Sequence, residues 1–170
     1  MKVLLIVVPV LASILAIVLV IGLLLPKQHV ASRSSHFSTS PSLIWAIVDG
    51  PPDWRSDIKS YEILPPVDGR RTWKEVDAHG DSIMYEVVES TSERKLVTRI
   101  ADETLPFGGT WTYEFAPDAG GVTLTITERG EVYNPIFRFV SRFVFGHTAQ
   151  LDKYLTSLKT RLEAVNGTGN

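Results

Sequence analysis

The chain has 170 residues, a formal net charge of −2 and no cysteine. The near-neutral balance removes the electrostatic case for nucleic acid, and the missing cysteines exclude thiol nucleophiles and disulfide frameworks. Once an apolar N-terminal run is set aside, the remainder has the size of one domain with a single core.

That run comes first. From Val3 to Leu25 no residue is charged, and only Pro9, Ser13 and Gly22 interrupt the apolar series. As a helix it would reach about 34 Å at ~1.5 Å per residue, enough for a ~30 Å hydrocarbon core with some tilt. A cleavable signal peptide is the alternative, but its apolar region is ordinarily about 7 to 15 residues and ends at a small-residue site. Here the best downstream position, Ala31, has His29 two places earlier. An uncleaved single-pass anchor over residues 1–26 is therefore the stronger reading, followed by a domain over 27–165 and a tail over 166–170. Pro9 lies in the first turns, where lipid-embedded backbone can be re-satisfied locally. Lys2 and the α-amino group precede the span and Lys27 and Arg33 follow it, so the positive-inside rule finds no imbalance to set the orientation. The triplet Asn166-Gly167-Thr168 matches a glycosylation sequon, a pattern that polar tails also produce by chance.

Val30 to Phe37 reads as a first strand. Ser40-Pro41 is an N-cap with proline at the first helical position, opening a short helix through Leu43, Ile44, Ile47 and Val48. Gly50-Pro51-Pro52 ends it, and Asp53 can cap a second turn carrying Trp54 and Ile58. Strands then alternate with turn signals: Ser60 to Leu64, Thr72 to Ala78, Ser82 to Ser90, Lys95 to Ala101, Gly109 to Phe115 and Val122 to Tyr133. Asp68-Gly69, His79-Gly80-Asp81, Thr91 to Arg94 and Phe107-Gly108-Gly109 separate them. Links this short favour an antiparallel meander over βαβ units.

Asn134-Pro135 opens a segment that stays helix-compatible to about Ala164. Its second half carries Leu151, Tyr154, Leu155, Leu158 and Leu162 at i, i+3, i+4, i+7 and i+11, a stripe for the sheet. The first half differs: Ile136, Phe137, Phe139, Val140, Phe143, Val144 and Phe145 cover most of the circumference and leave Arg138 and Arg142 as a narrow cationic edge. Gly146 offers a kink between the halves.

The strand faces point to a container. Trp111, Tyr113 and Phe115 alternate against Thr110, Thr112 and Glu114, while Val122, Leu124 and Ile126 alternate against Thr123, Thr125 and Thr127. A sheet with one aromatic and aliphatic face, followed by a long helix, can close over an apolar hollow. Candidate walls are Trp73, Trp111, Tyr113, Phe115, Leu124, Ile126, Phe137 and Val140, with plain core as the competing role for the aromatic residues. Glu128 continues the inward parity of Ile126: it is either a buried carboxyl with a raised pKa, able to hold a polar head or act as a base, or a solvated residue at the rim. Phe137, Arg138, Arg142 and Phe143 are core, a gate, or a surface resting on the bilayer with the arginines toward headgroups.

Catalytic signals are weak. His29, His36, His79 and His147 show no metal-pair spacing; His79 falls in a turn, and His147 suits packing or hydrogen bonding better than acid–base work. There is no Gly-rich phosphate loop and no G-x-S-x-G elbow. Glu128 is the one weak catalytic candidate, and no metal or organic cofactor is implied.

Several strings carry a resemblance: Ser40-Pro41-Ser42-Leu43-Ile44-Trp45 with Trp54, Gly109-Thr110-Trp111-Thr112-Tyr113, and Thr127-Glu128-Arg129-Gly130-Glu131-Val132. Asn134-Pro135-Ile136-Phe137-Arg138-Phe139 and Phe145-Gly146-His147 complete it. Together they resemble the START-like helix-grip (SRPBCC) superfamily of polyketide cyclases, dehydrases and lipid transporters, most of all bacterial members with an N-terminal span. The resemblance implies an α+β fold, a curved antiparallel sheet gripping a C-terminal helix around a ligand cavity. Fold alone does not choose among carriers, cyclases and receptors. The expected function is a membrane-anchored protein, in the cell membrane of a bacterium, that binds or transports a lipid or other hydrophobic small molecule. The alternatives are a cyclase- or dehydratase-like enzyme and a non-binding scaffold.

Overall fold

The computed structural model describes residues 2–146 and 148–167. Its elements are α1 (Lys2–Leu24), β1 (Gln28–Phe37), α2 (Pro41–Val48), a 3-10 turn (Pro52–Trp54), β2 (Ile58–Val67), β3 (Arg70–Asp77), β4 (Ser82–Thr91), β5 (Lys95–Ile100), β6 (Phe107–Asp118), β7 (Gly121–Val132), α3 (Pro135–Val140) and α4 (Ala149–Gly167). The strands form one antiparallel sheet in the order β1-β7-β6-β5-β4-β3-β2. Hairpins join β2 through β7 in succession, because links of a few residues can connect only antiparallel neighbours. β1 pairs with β7, so α2 and the 3-10 turn carry the chain from one sheet edge to the other. Pro65 and Pro66 lie in the edge strand β2, where a missing amide hydrogen breaks no ladder. Register shifts in β2 and β4 supply the bends that curve the sheet.

α2 starts as the sequence predicts, with the Ser40 side chain accepting from the Leu43 amide and Pro41 at the first helical position. The next turn differs from expectation. It begins at Pro52, after an extended Pro51, with Asp53 inside it instead of capping it, and Ile58 opens β2.

The core forms where α4 lies on the sheet. Val122, Leu124 and Ile126 of β7, Tyr113 and Phe115 of β6, and Leu96 of β5 meet Leu151, Tyr154, Leu158 and Leu162 of α4. Leu155, expected on the same stripe, is only partly buried. Ile44 of α2 closes the cluster with no exposed surface.

The segment after Asn134 is two helices and not one. The Asn134 side chain accepts from the Ile136 and Phe137 amides and starts α3. A π turn follows at Ser141–Phe145, closed by the Gly146 amide donating to the Ser141 carbonyl at 3.0 Å. Gly146 then takes φ of 73° with ψ of 160°, a positive-φ conformation open essentially to glycine because it lacks a Cβ. The expected kink is thus a complete break, and it turns the phenylalanine-rich half away from the line of α4. His147 and Thr168 of the sequon lie outside the described residues.

Candidate ligand cavity

Between the concave face of β3–β7, the first turns of α4 and the inner side of α3 is a cavity of about 630 Å³. Ligand pockets for small molecules typically span about 300–1,000 Å³. Ile83, Ile100, Phe107, Trp111, Val132 and Val140 provide apolar wall, and Phe137 stands at the rim, lining the cavity while 49% exposed. The hollow exists because α4 touches the sheet only along part of its length. The break at Gly146 lets α3 cover the remaining end as a separate lid-like wall.

A polar cluster lies at one end. The Arg55 guanidinium donates to Asp57 at 2.8 Å and to Glu75 at 3.1 Å, and the Trp73 indole N–H donates to the other Glu75 oxygen at 2.9 Å. Tyr154 sits at the hub of this end, its ring 5.2 Å from Trp54, 5.8 Å from Trp111, 5.6 Å from Tyr113 and 5.5 Å from the Arg55 guanidinium. Trp73 stacks on Tyr85 at 5.5 Å. Burial opposes the charge on Arg55, but the Asp57 hydrogen bond and the Glu75 and Asp57 charges outweigh it and hold the guanidinium protonated. Asp57 is also opposed by burial, and its bond to Arg55 nevertheless holds its carboxyl below the ordinary value. Burial raises the phenols of Tyr85, Tyr113 and Tyr154 far above theirs. These phenols are therefore neutral hydrogen-bonding groups at physiological pH, suited to a carbonyl or hydroxyl oxygen, beside one fixed cation.

A second polar pair faces the cavity from β1 and β7. Glu128 lies 3.7 Å from His29, with their side chains 21% and 16% exposed. His29 fits there because it stands opposite Gly130, where any Cβ would lie 2.2 Å from the imidazole. Burial raises the Glu128 pKa, and the Trp111 indole N–H partly offsets it. A carboxyl whose folded pKa lies above its unfolded value stabilises the fold only at lower pH, and that contribution is lost as pH rises through the folded value. Glu128→Gln is therefore expected to raise the melting temperature at about pH 8 and to leave it unchanged near pH 3. Equal shifts at both pH values would contradict a buried, ionising Glu128.

The sequence candidates separate into two groups. Trp73, Trp111, Tyr113, Glu128, Phe137 and Val140 line the cavity. Phe115, Leu124 and Ile126 do not; they are 5%, 0% and 0% exposed and belong to the core, because α4 lies directly on that end of their strands. Of the residues expected to face lipid, Phe137 and Phe143 are 49% and 60% exposed and Arg142 is exposed. Arg138 is corrected: it is 7% exposed and turned toward α1, where it donates to the Gly22 and Leu25 carbonyls at 3.0 and 3.1 Å. The last turn of a helix leaves carbonyls without intrahelical partners, and a guanidinium satisfies them. His79 is exposed in the β3–β4 turn, its amide donating to Asp77.

Sequence reasoning missed Arg55, Glu75, Tyr85 and His29. Parity could have found three of them: Glu75 continues the face of Trp73, Tyr85 pairs with Trp73, and His29 shares the face of buried Ala31. Arg55 follows an irregular turn and carries no periodic signal. Among the described residues no group of three His, Asp or Glu side chains is placed to hold a metal ion.

A profile of the family described as polyketide cyclase / dehydrase and lipid transport matches residues 28–163. No curated protein sequence matches. Among solved structures the chain is similar to a START superfamily protein from Mycobacterium smegmatis, with TM-score 0.64 and 18% identity over 81% of this chain and 99% of that one. It is similar also to a protein from Mesorhizobium loti, with TM-score 0.62 and 15% identity over 80% and 98% of the two chains. Norcoclaurine synthase from Thalictrum flavum matches with TM-score 0.60 and 12% identity over 79% and 86%. At these identities the structural likeness carries the fold alone, a sheet gripping a C-terminal helix around a hollow. With the profile spanning nearly all of the chain beyond α1, the protein belongs to the polyketide cyclase / dehydrase and lipid transport family.

Proposed function

We propose that this protein is a membrane-anchored binder of an amphipathic, mainly apolar small molecule, a lipid or lipid-like compound. The guest lies with its body along Trp111, Ile83, Ile100 and Phe107 and its oxygen-bearing end toward Arg55, Tyr113 and Tyr154. The observation that carries this reading is the cavity itself: about 630 Å³, apolar along its walls, with a guanidinium held charged at one end. An apolar guest gains roughly 25 cal/mol for each Å² removed from water, and the polar end fixes its direction. The helix α1, apolar and exposed along most of its length, supports the anchor.

The test is native mass spectrometry with lipid extraction on the full chain released from detergent micelles. A stoichiometric guest is expected, lost in Ile100→Trp, which fills the hollow while keeping the melt cooperative. An empty cavity in the parent protein, or a guest retained by the filled variant, would contradict the proposal.

A second reading, a cyclase- or dehydratase-like enzyme, is favoured by the convergence of Arg55, Tyr113, Tyr154, His29 and Glu128 on one cavity. Neutral phenols and a fixed cation can polarise a carbonyl, and a carboxyl with a raised pKa can move a proton. Conversion of the co-purified molecule on incubation, abolished by Glu128→Gln, would place the protein there; its unchanged recovery supports the carrier.

A further inference from the structure

The exposed apolar residues of the described structure fall in few places outside α1, and one of them touches it. Ile136, Phe137, Phe143 and Val144 are 38%, 49%, 60% and 65% exposed, and all belong to α3 and the π turn. Three observations tie this patch to α1. The Arg138 guanidinium bridges the two elements, donating to the carbonyls of Gly22 and Leu25 and, at 3.0 Å, to that of Tyr133. The backbones meet at Gly22, where a Cβ would lie 2.0 Å from the Pro135 carbonyl oxygen. Between α1 and β1 there are only Leu25, Pro26 and Lys27, and the Lys27 carbonyl accepts from the Val132 amide at 2.8 Å. A span joined in this way is a strut and not a leash.

Resting on the membrane-anchored reading above, we propose that α1 is retained in the mature protein and docked rigidly on α3. The docking seats Ile136, Phe137, Phe143 and Val144 in the interfacial layer of the bilayer, so that the cavity rim opens onto lipid. The depth follows from the contact. α3 packs on the last turns of the span, which lie where hydrocarbon gives way to headgroups, and an apolar segment at that level sinks about 5–10 Å into the boundary. Arg142 and Lys27 are exposed at this end of the molecule, where they can meet anionic headgroups, while Glu131 is engaged by Gln28 and Tyr133. The occupant of the patch is lipid, because the patch continues the exposed apolar surface of α1. Cleavage as a signal peptide would remove the Gly22 carbonyl from Arg138 and, with Leu25 gone, the second acceptor also, leaving the face of α3 that α1 covers open to water. Phe137 ties the seat to the cavity, since it belongs to both.

The absence of cysteine allows single-site spin labelling of the full chain without background. Nitroxides at Phe143→Cys and Val144→Cys, in phosphatidylcholine–phosphatidylglycerol vesicles, are expected to collide preferentially with oxygen. A label at Ala119→Cys, in the hairpin at the opposite end of β6 and β7, is expected to be fully aqueous. Gly22→Leu and Arg138→Ala, each keeping the chain in the membrane, are expected to move the Val144 label several-fold toward aqueous accessibility. Four results would overturn the proposal: rim labels as aqueous as the hairpin label; labels shielded from both oxygen and a water-soluble paramagnetic agent, as a second copy would shield them; depth unchanged in both docking variants; or membrane-extracted protein whose intact mass lacks the span. Guest recovery in the same preparation separates this from the binding reading. A guest with an aqueous rim sinks only the docking, and a seated rim with an empty cavity sinks only the carrier.

Discussion

Leu158→Ala is expected to lower stability by ~3–5 kcal/mol, and with it the melting temperature by about 10 °C. Leu158 has no exposed surface, and it reaches from α4 into the cluster formed by β5, β6 and β7. Truncation removes a buried isobutyl group and leaves a void that cannot collapse, because the facing side chains come from paired strands. The same change at Leu155, partly buried on the flank of the stripe, should cost about half as much or less. Tryptophan fluorescence melts of the full chain in one detergent give both numbers, since Trp54 and Trp111 report on this region and α1 contains no tryptophan. Equal losses at the two positions would show that α4 presents a different face to the sheet.

That contrast marks how far the residue pattern could be read. The helix stripe and the strand alternation located the core elements, because a period of 3.6 or of 2 reports directly which side meets apolar partners. The same parity could not tell core from cavity. Leu124 and Glu128 share a face of β7, yet α4 covers the first and leaves the second beside an opening. Where along its length a helix touches a sheet depends on Gly146 and the π turn, features that change direction without changing hydrophobicity. Arg138 failed for a related reason. As an arginine on an apolar segment it suggested a lipid headgroup, but its partners are carbonyls at the end of a helix 113 and 116 positions earlier. Arg55 was invisible altogether, since its meaning depends on Glu75 from β3 and Tyr154 from α4 arriving beside it and its near neighbour Asp57.

Arg55→Leu is expected to be the variant that most affects function. It should abolish guest retention and lower stability by about 3 kcal/mol, the lower end of the range for breaking a buried ion pair, because the site borders a cavity. The cost arises from what stays behind. Glu75, 7% exposed, would keep the Trp73 hydrogen bond but lose its cation, and Asp57 would lose the bond that holds its carboxyl below the ordinary value. The pH dependence follows from Asp57. Its folded pKa is depressed, so its contribution is present above the ordinary value of 3.8 and is lost as pH falls through the folded value. The gap between parent and variant should therefore narrow as the pH falls below the ordinary Asp57 value, by the share that Asp57 contributes. The triple variant Arg55→Leu, Asp57→Asn, Glu75→Gln removes the stranded charges along with the cation and should recover most of the lost stability. It should not recover the guest, because neutral amides cannot replace a guanidinium fixed beside the Tyr113 and Tyr154 hydroxyls. Guest binding that returned with stability would mean that Arg55 only holds the wall in shape, and that the apolar surface alone selects what the cavity carries.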